Sequence, residues 1–102
     1  MVAGHAFEPS SLEVVAGDTV TFTNASPESH TVTAYGARIP ADADYFASGG
    51  FEDEATARDE IGDGLVKRDE TYEITFDEPG TYEYFCIPHE SDGMKGTIVV
   101  TG

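Results

Sequence analysis

Cysteine is all but missing from this sequence: Cys86 is the only one in 102 residues. An internal disulfide is therefore excluded, and with it the covalent staple of many small secreted domains. Cys86 is left as either an inert core side chain or a reactive or metal-bound thiolate. Cationic side chains are scarce too. Five Lys+Arg stand against 20 Asp+Glu, a formal net charge of -15, and this balance argues against nucleic acid or anionic lipid as a partner. Nowhere does the chain approach the ~18 consecutive apolar residues of a membrane span. The opening at Met1 has neither the basic start nor the apolar centre of a secretion signal, and whether an export signal or lipid anchor precedes it stays open.

The 39% of residues that are hydrophobic suffice for one compact core, and a single domain over 1–102 is expected. Acidic residues are spread from Glu8 to Asp92 among apolar ones, the pattern of a solvated surface and not of a disordered tail. Side chains alternate at Leu12 and Val14, Val20 and Phe22, His30 and Val32, Tyr72, Ile74 and Phe76, and Tyr82, Tyr84 and Cys86. A last run over 96–101 carries Ile98 and Val100 on one face and Val99 on the other. Turn residues separate these runs: Gly17-Asp18, Asn24 through Pro27, and Pro79-Gly80. The period of two predicts six or seven short strands in an all-β sandwich.

Between Gly36 and Arg68 the alternation fails, and the stretch is long for a structureless loop. A short helix is expected over roughly 52–61, opened by Ser48-Gly49-Gly50 and favoured by Glu52, Asp53 and Glu54 in its first turn, which suit the helix dipole.

The chemistry concentrates in Cys86-Ile87-Pro88-His89-Glu90-Ser91-Asp92-Gly93-Met94, where a thiolate, an imidazole and a thioether share one loop. Sulfur suits Cu(I) and imidazole suits Cu(II), so the mixture fits copper in both oxidation states. A trigonal two-histidine, one-cysteine site with a weak axial methionine needs a second imidazole, and His30, in a strand able to neighbour the one ending at Cys86, is the candidate. Pro88 stiffens the turn and Gly93 relieves the backbone, letting Cys86, His89 and Met94 converge. Alone, Cys86 reads as a small buried hydrophobe and Met94 as core; the loop context promotes both. A Cys86–His89 nucleophile and base lacks an orienting third group and leaves Pro88 and Met94 without a role. Structural zinc has no use for a thioether. His5, with no ligand-spaced neighbour, reads as structural or exposed.

On Phe7-Glu8-Pro9 and Leu12, Val15-Ala16-Gly17-Asp18-Thr19-Val20, Asn24, His30-Thr31-Val32, and Gly80-Thr81-Tyr82-Glu83-Tyr84-Phe85-Cys86-Ile87-Pro88-His89 through Met94 and Gly96, the chain resembles the type 1 blue copper proteins. Within them it is most similar to the plastocyanin branch of the cupredoxins, and particularly to the halocyanins of salt-loving archaea. The resemblance implies an antiparallel Greek-key β-sandwich, one copper ion held by His30, Cys86, His89 and Met94, and an electron carrier that is not an enzyme. It further implies a monomer at the outer face of the cell membrane, often lipid-anchored, serving membrane-bound redox proteins. Copper storage or delivery without a redox partner is the alternative.

One departure is Thr31, where plastocyanins and azurins often have an asparagine that hydrogen-bonds the ligand loop. Tyr82 and Tyr84 both offer the hydrogen bond of a tyrosine corner. The acids at Asp42, Asp44, Glu52, Asp53, Glu54, Asp59, Glu60 and Asp63 offer a docking patch for a basic partner, but molar salt shortens the Debye length to ~3 Å and erases long-range steering. Docking is expected instead on the apolar ground around His89, formed by Ile87, Pro88 and Phe7, with the imidazole edge as electron exit.

Overall fold

Alternation of the kind read above decides which face of each strand is covered. In the computed structural model, which describes residues 2–3, 6–7, 10–41 and 43–102, β1 (Val2–Ala3) and β2 (Ala6–Phe7) form a small antiparallel ribbon. They are followed by β3 (Ser11–Val15), β4 (Thr19–Thr23), β5 (Thr33–Ala34), helix α1 (Glu54–Asp59), β6 (Thr71–Thr75), β7 (Gly80–Phe85) and β8 (Lys95–Thr101). One sheet has the order β3-β8-β7-β5; the other is the antiparallel pair β4-β6. Gly96, Ile98 and Val100 of β8 point inward while Thr97 and Val99 stay partly covered, as the alternation predicts. No helix of the described residues is long and apolar enough to cross a membrane.

Three details differ from expectation. β3 runs parallel to β8, with Leu12 opposite Ile98 and Val14 opposite Val100; nearly the whole chain lies between them, far more than the dozen residues a parallel crossover needs. His30 makes an isolated bridge to Val66 instead of lying in a strand, because the ladder to β7 begins only at Thr33 and the burial of both faces of 30–34 leaves no alternation to mark where it starts. The helix is shorter than 52–61, since Asp53 caps it by accepting the Thr56 N–H at 2.7 Å and a 3-10 turn over Ile61–Gly64 takes up the remainder.

The sheets are joined by aromatic side chains. Tyr84 of β7 meets Phe7 and Phe22 edge-on, with ring centroids 4.8 and 5.3 Å apart, and Phe76 meets Phe46 and Tyr82 at 5.4 and 4.8 Å. Burying each such ring contributes roughly 1.5–3 kcal/mol. The tyrosine corner is made by Tyr82, whose hydroxyl donates to the Glu78 carbonyl at 2.7 Å.

Gly96 is required by this packing, because a Cβ there would collide with the hydroxyl end of the Tyr84 ring, which Phe7 and Phe22 hold in place. Gly96→Ala is expected to cost about 1–3 kcal/mol, read as a lower urea midpoint at unchanged m-value. A wild-type midpoint would show that the ring yields at little cost.

Candidate metal centre

At the end of β7 the chain enters a 3-10 segment, Ile87–Asp92, with Cys86 at its N-terminal flank and Pro88 in its first turn, where a missing N–H and a fixed φ do no harm. Gly93 then takes φ +81, a left-handed conformation that glycine adopts at no steric cost, and reverses the chain into β8. Four backbone bonds close the loop: His89 N–H to the Cys86 carbonyl at 3.2 Å, Gly93 N–H to Glu90 at 2.9 Å, Met94 N–H to His89 at 3.2 Å, and Cys86 N–H to Met94 at 3.0 Å. Cys86 and Met94 are fully buried.

His30 is brought to the same pole by its bridge to Val66, with N–H···O distances of 3.1 and 2.6 Å. Its ring is oriented from behind, where Nε2 lies 2.7 Å from the Ser26 hydroxyl. That hydroxyl has one proton, and both of its other partners, Asn24 Oδ1 at 2.8 Å and the Glu28 carbonyl at 3.1 Å, only accept. Ser26 must therefore accept from Nε2–H, which leaves the lone pair on Nδ1. Asn24 is itself anchored, its amide donating to the Glu28 and Val66 carbonyls at 2.7 and 2.8 Å.

Nδ1 of His30 points at the other two donors. It lies 3.1 Å from His89 Nδ1, and each of these nitrogens is 3.6 Å from Cys86 Sγ. An isosceles triangle of those sides has a circumradius of about 2.0 Å, the length of a bond from a transition metal to imidazole nitrogen and a little short of one to thiolate sulfur. Three side chains from positions 30, 86 and 89 thus share one centre sized for an ion. They form a cluster of metal-ligand type among the described residues, and two imidazoles with one thiolate are a donor set that copper favours.

Thr31 holds the two segments together. Its N–H points at Cys86 Sγ at 3.4 Å, and its hydroxyl oxygen accepts from Ile87 N–H at 2.8 Å and from the Thr33 hydroxyl at 3.0 Å. With both lone pairs used, its proton is the group left to face the thiol. Burial pushes the Cys86 thiol up, while hydrogen bonds from the backbones of Thr31 and His89 and from the Thr31 side chain act the other way. The Thr31 hydroxyl thus ties the ligand loop to the segment carrying His30. At the rim, the His89 side chain is 15% exposed and its Nε2 lies 3.3 Å from the Glu28 carboxylate.

The structure brings His30, Cys86 and His89 together and buries Met94 at the foot of their loop. Phe7, expected on the docking ground, is instead 3% exposed within the core, where Tyr84 and Phe22 enclose it. Ile87 is half-buried and Pro88 exposed. His5, Glu8, Pro9, Met1 and Asp42 lie outside the described residues. Ser26 and Glu28 were not singled out from the sequence; the only signal was the polar turn Asn24-Ala25-Ser26, whose Asn and Ser can hydrogen-bond locally.

A two-sheet sandwich with a buried His-Cys-His triangle at one pole defines a small metal-binding protein of the cupredoxin type. The family model described as "Copper binding proteins, plastocyanin/azurin family" matches residues 3–101. This chain belongs to that family. It is 39% identical over 94 residues to a plastocyanin of Scenedesmus fuscus, covering 92% of this chain and 85% of that one. It is 36% identical over 97 residues to plastocyanin A/B of Petroselinum crispum, covering 95% and 89%. Among solved structures it is similar to a reduced amicyanin variant, with a TM-score of 0.69 at 29% identity over 97% of this chain and 76% of that chain. The oxidised plastocyanin of Dryopteris crassirhizoma is also similar, with a TM-score of 0.66 at 28% identity over 94% and 88%.

Removing the group behind His30 tests this account of the site. Ser26→Ala is expected to weaken Cu(II) binding by about 10-fold to 100-fold, measured by competition with a chelator. An unchanged affinity would show that packing alone orients the ring.

Proposed function

We propose that His30, Cys86, His89 and Met94 hold one copper ion and that the chain, as a single domain over 1–102, carries single electrons between larger redox proteins. The observation that carries this reading is the convergence of two imidazole nitrogens and a thiolate sulfur on one centre, in a chain of the copper-binding family. When bound, copper would supply a one-electron couple between Cu(II) and Cu(I), with the buried thioether of Met94 available as a soft fourth donor beside His30, Cys86 and His89.

The protein's own part is to hold the donors still. His30 is fixed through Ser26 and Asn24, Cys86 through Thr31, and His89 and Met94 through the backbone bonds of their loop. A donor set that cannot rearrange suits neither oxidation state perfectly and changes little between them, which favours rapid electron exchange. No bond of a substrate is made or broken, so the chain acts as a carrier and not as an enzyme.

His89 is the one donor whose side chain reaches the surface, and its edge, flanked by Ile87 and Pro88, is the contact point for redox partners. The charge of -15 and the resemblance of the sequence to halocyanins support a salt-adapted, extracytoplasmic carrier. It works as a monomer at the outer face of the cell membrane, with membrane-bound respiratory donors and acceptors.

Oxidised, copper-loaded protein is expected to absorb intensely near about 600 nm and to give a narrow parallel hyperfine splitting in its electron paramagnetic resonance spectrum. An ordinary tetragonal signal without the intense band would defeat the reading and favour storage or delivery. Ile87→Glu is expected to slow electron transfer to the native partner at high salt, and an unaltered rate would remove this face as the docking ground.

A further inference from the structure

Arginine is rare in this chain, yet Arg58 of α1 sits where three elements meet. Its guanidinium makes a two-pronged ion pair with Glu90, Nη1 to Oε1 at 2.9 Å and Nη2 to Oε2 at 3.3 Å. Its Nε donates to Glu54 at 2.9 Å, and its Cζ stands 4.4 Å from the centroid of the Phe85 ring. The Tyr35 hydroxyl donates to the same Glu90 carboxylate at 2.6 Å, and the Tyr35 ring stacks on Phe85 with centroids 4.2 Å apart.

The position of these contacts along the chain matters more than their number. Phe85 immediately precedes Cys86, and Glu90 immediately follows His89. One side chain from the mid-chain excursion therefore grips the segment between Cys86 and His89 at both ends. Glu90 is also the residue whose carbonyl accepts the Gly93 N–H, and His89 itself has non-helical dihedrals inside the 3-10 segment, φ -122 and ψ 17. A carboxylate held there fixes a backbone that regular helical bonding does not.

The anchor behind Arg58 is firm despite the shortness of α1. Asp53 caps the helix, Ala57 is buried, and Glu54 Oε1 accepts the Gly36 N–H at 2.8 Å, tying α1 to the residue after Tyr35. Ion pairs at partly exposed sites contribute little to stability unless they are bidentate or networked. A fork-to-carboxylate pair shared with a tyrosine hydroxyl is both, and its benefit is geometric precision.

We infer that Arg58 is a positioning residue for the loop 86–94, acting through Glu90 and Phe85 to keep His89 and Met94 arranged around the centre they share with Cys86. This rests on the ligand reading given above. It assigns a use to the long connection between β5 and β6 beyond the contacts that Val66 makes with His30 and Asn24.

The test begins with wild-type copper-loaded protein, whose blue absorption checks the ligand reading independently. In Arg58→Met, which keeps an apolar stem over Phe85 but removes the fork, copper is expected to transfer to a chelator about tenfold faster. Amide exchange in the Cu(I) form is expected to speed up at His89, Gly93 and Met94 and to stay at wild-type rates in β3, β7 and β8. Glu90→Gln should show the same pattern, and the double variant should add little to either single one, as for groups acting as a unit. Arg58→Lys, the milder variant, should recover only part of the wild-type rate because it lacks the planar fork. The inference is overturned if blue Arg58→Met protein releases copper at the wild-type rate. It is equally overturned if faster exchange is confined to α1, or spread evenly over the sheets, as loss of a merely structural anchor would give.

Discussion

The centre depends above all on Thr31, which bonds the chain around His30 to the chain around Cys86 next to the β5–β7 ladder. Its N–H reaches the sulfur and its hydroxyl receives the Ile87 N–H, so the two donor-bearing segments cannot move apart without stranding a buried polar group, a penalty of about 1–3 kcal/mol. A His, a Cys and a second His at 30, 86 and 89 would form no triangle if these segments were joined only by apolar contact. Nondirectional packing tolerates shifts of an ångström, and a metal bond does not.

Outward from Thr31 the site is built in layers of decreasing burial. Asn24 and Ser26 orient His30 from the interior, the backbone bonds of 86–94 orient Cys86 and Met94, and only His89, with Glu28 against its outer nitrogen, reaches solvent. The donors are therefore rigid where they face the core and accessible at one edge. An electron carrier needs this combination, because the donor geometry must survive a change of charge while a partner approaches within contact distance. Acidic residues elsewhere keep the surface hydrated.

Much of this was legible in the sequence for a local reason. Cys86, His89 and Met94 lie within nine residues, and the constraints that fold them together, Pro88 in the first turn and Gly93 at positive φ, act over the same short range. Strand faces were legible because alternation is also local, as Ile98, Val100, Tyr82 and Tyr84 show. Phe7 was misplaced because an aromatic residue reads alike on a docking face and in a core; only its contacts with Tyr84 and Phe22 decide. His30 was named for the right partners, but its backbone was not, since a bridge to Val66 depends on how the long connection returns.

Amino-acid order alone determined the donor types and their spacing, the alternating faces, and an acidic surface without a cationic patch to match nucleic acid, because each of these is a property of neighbours along the chain. Tertiary structure decided which nitrogen of His30 faces the centre, that a hydroxyl at position 31 braces the sulfur, and that Arg58 reaches Glu90 across 32 positions of sequence. Those outcomes are set by hydrogen bonds between segments that meet only when both sheets have closed on the aromatic core. No pattern along a single chain specifies which polar groups will then lie within 3 Å of one another.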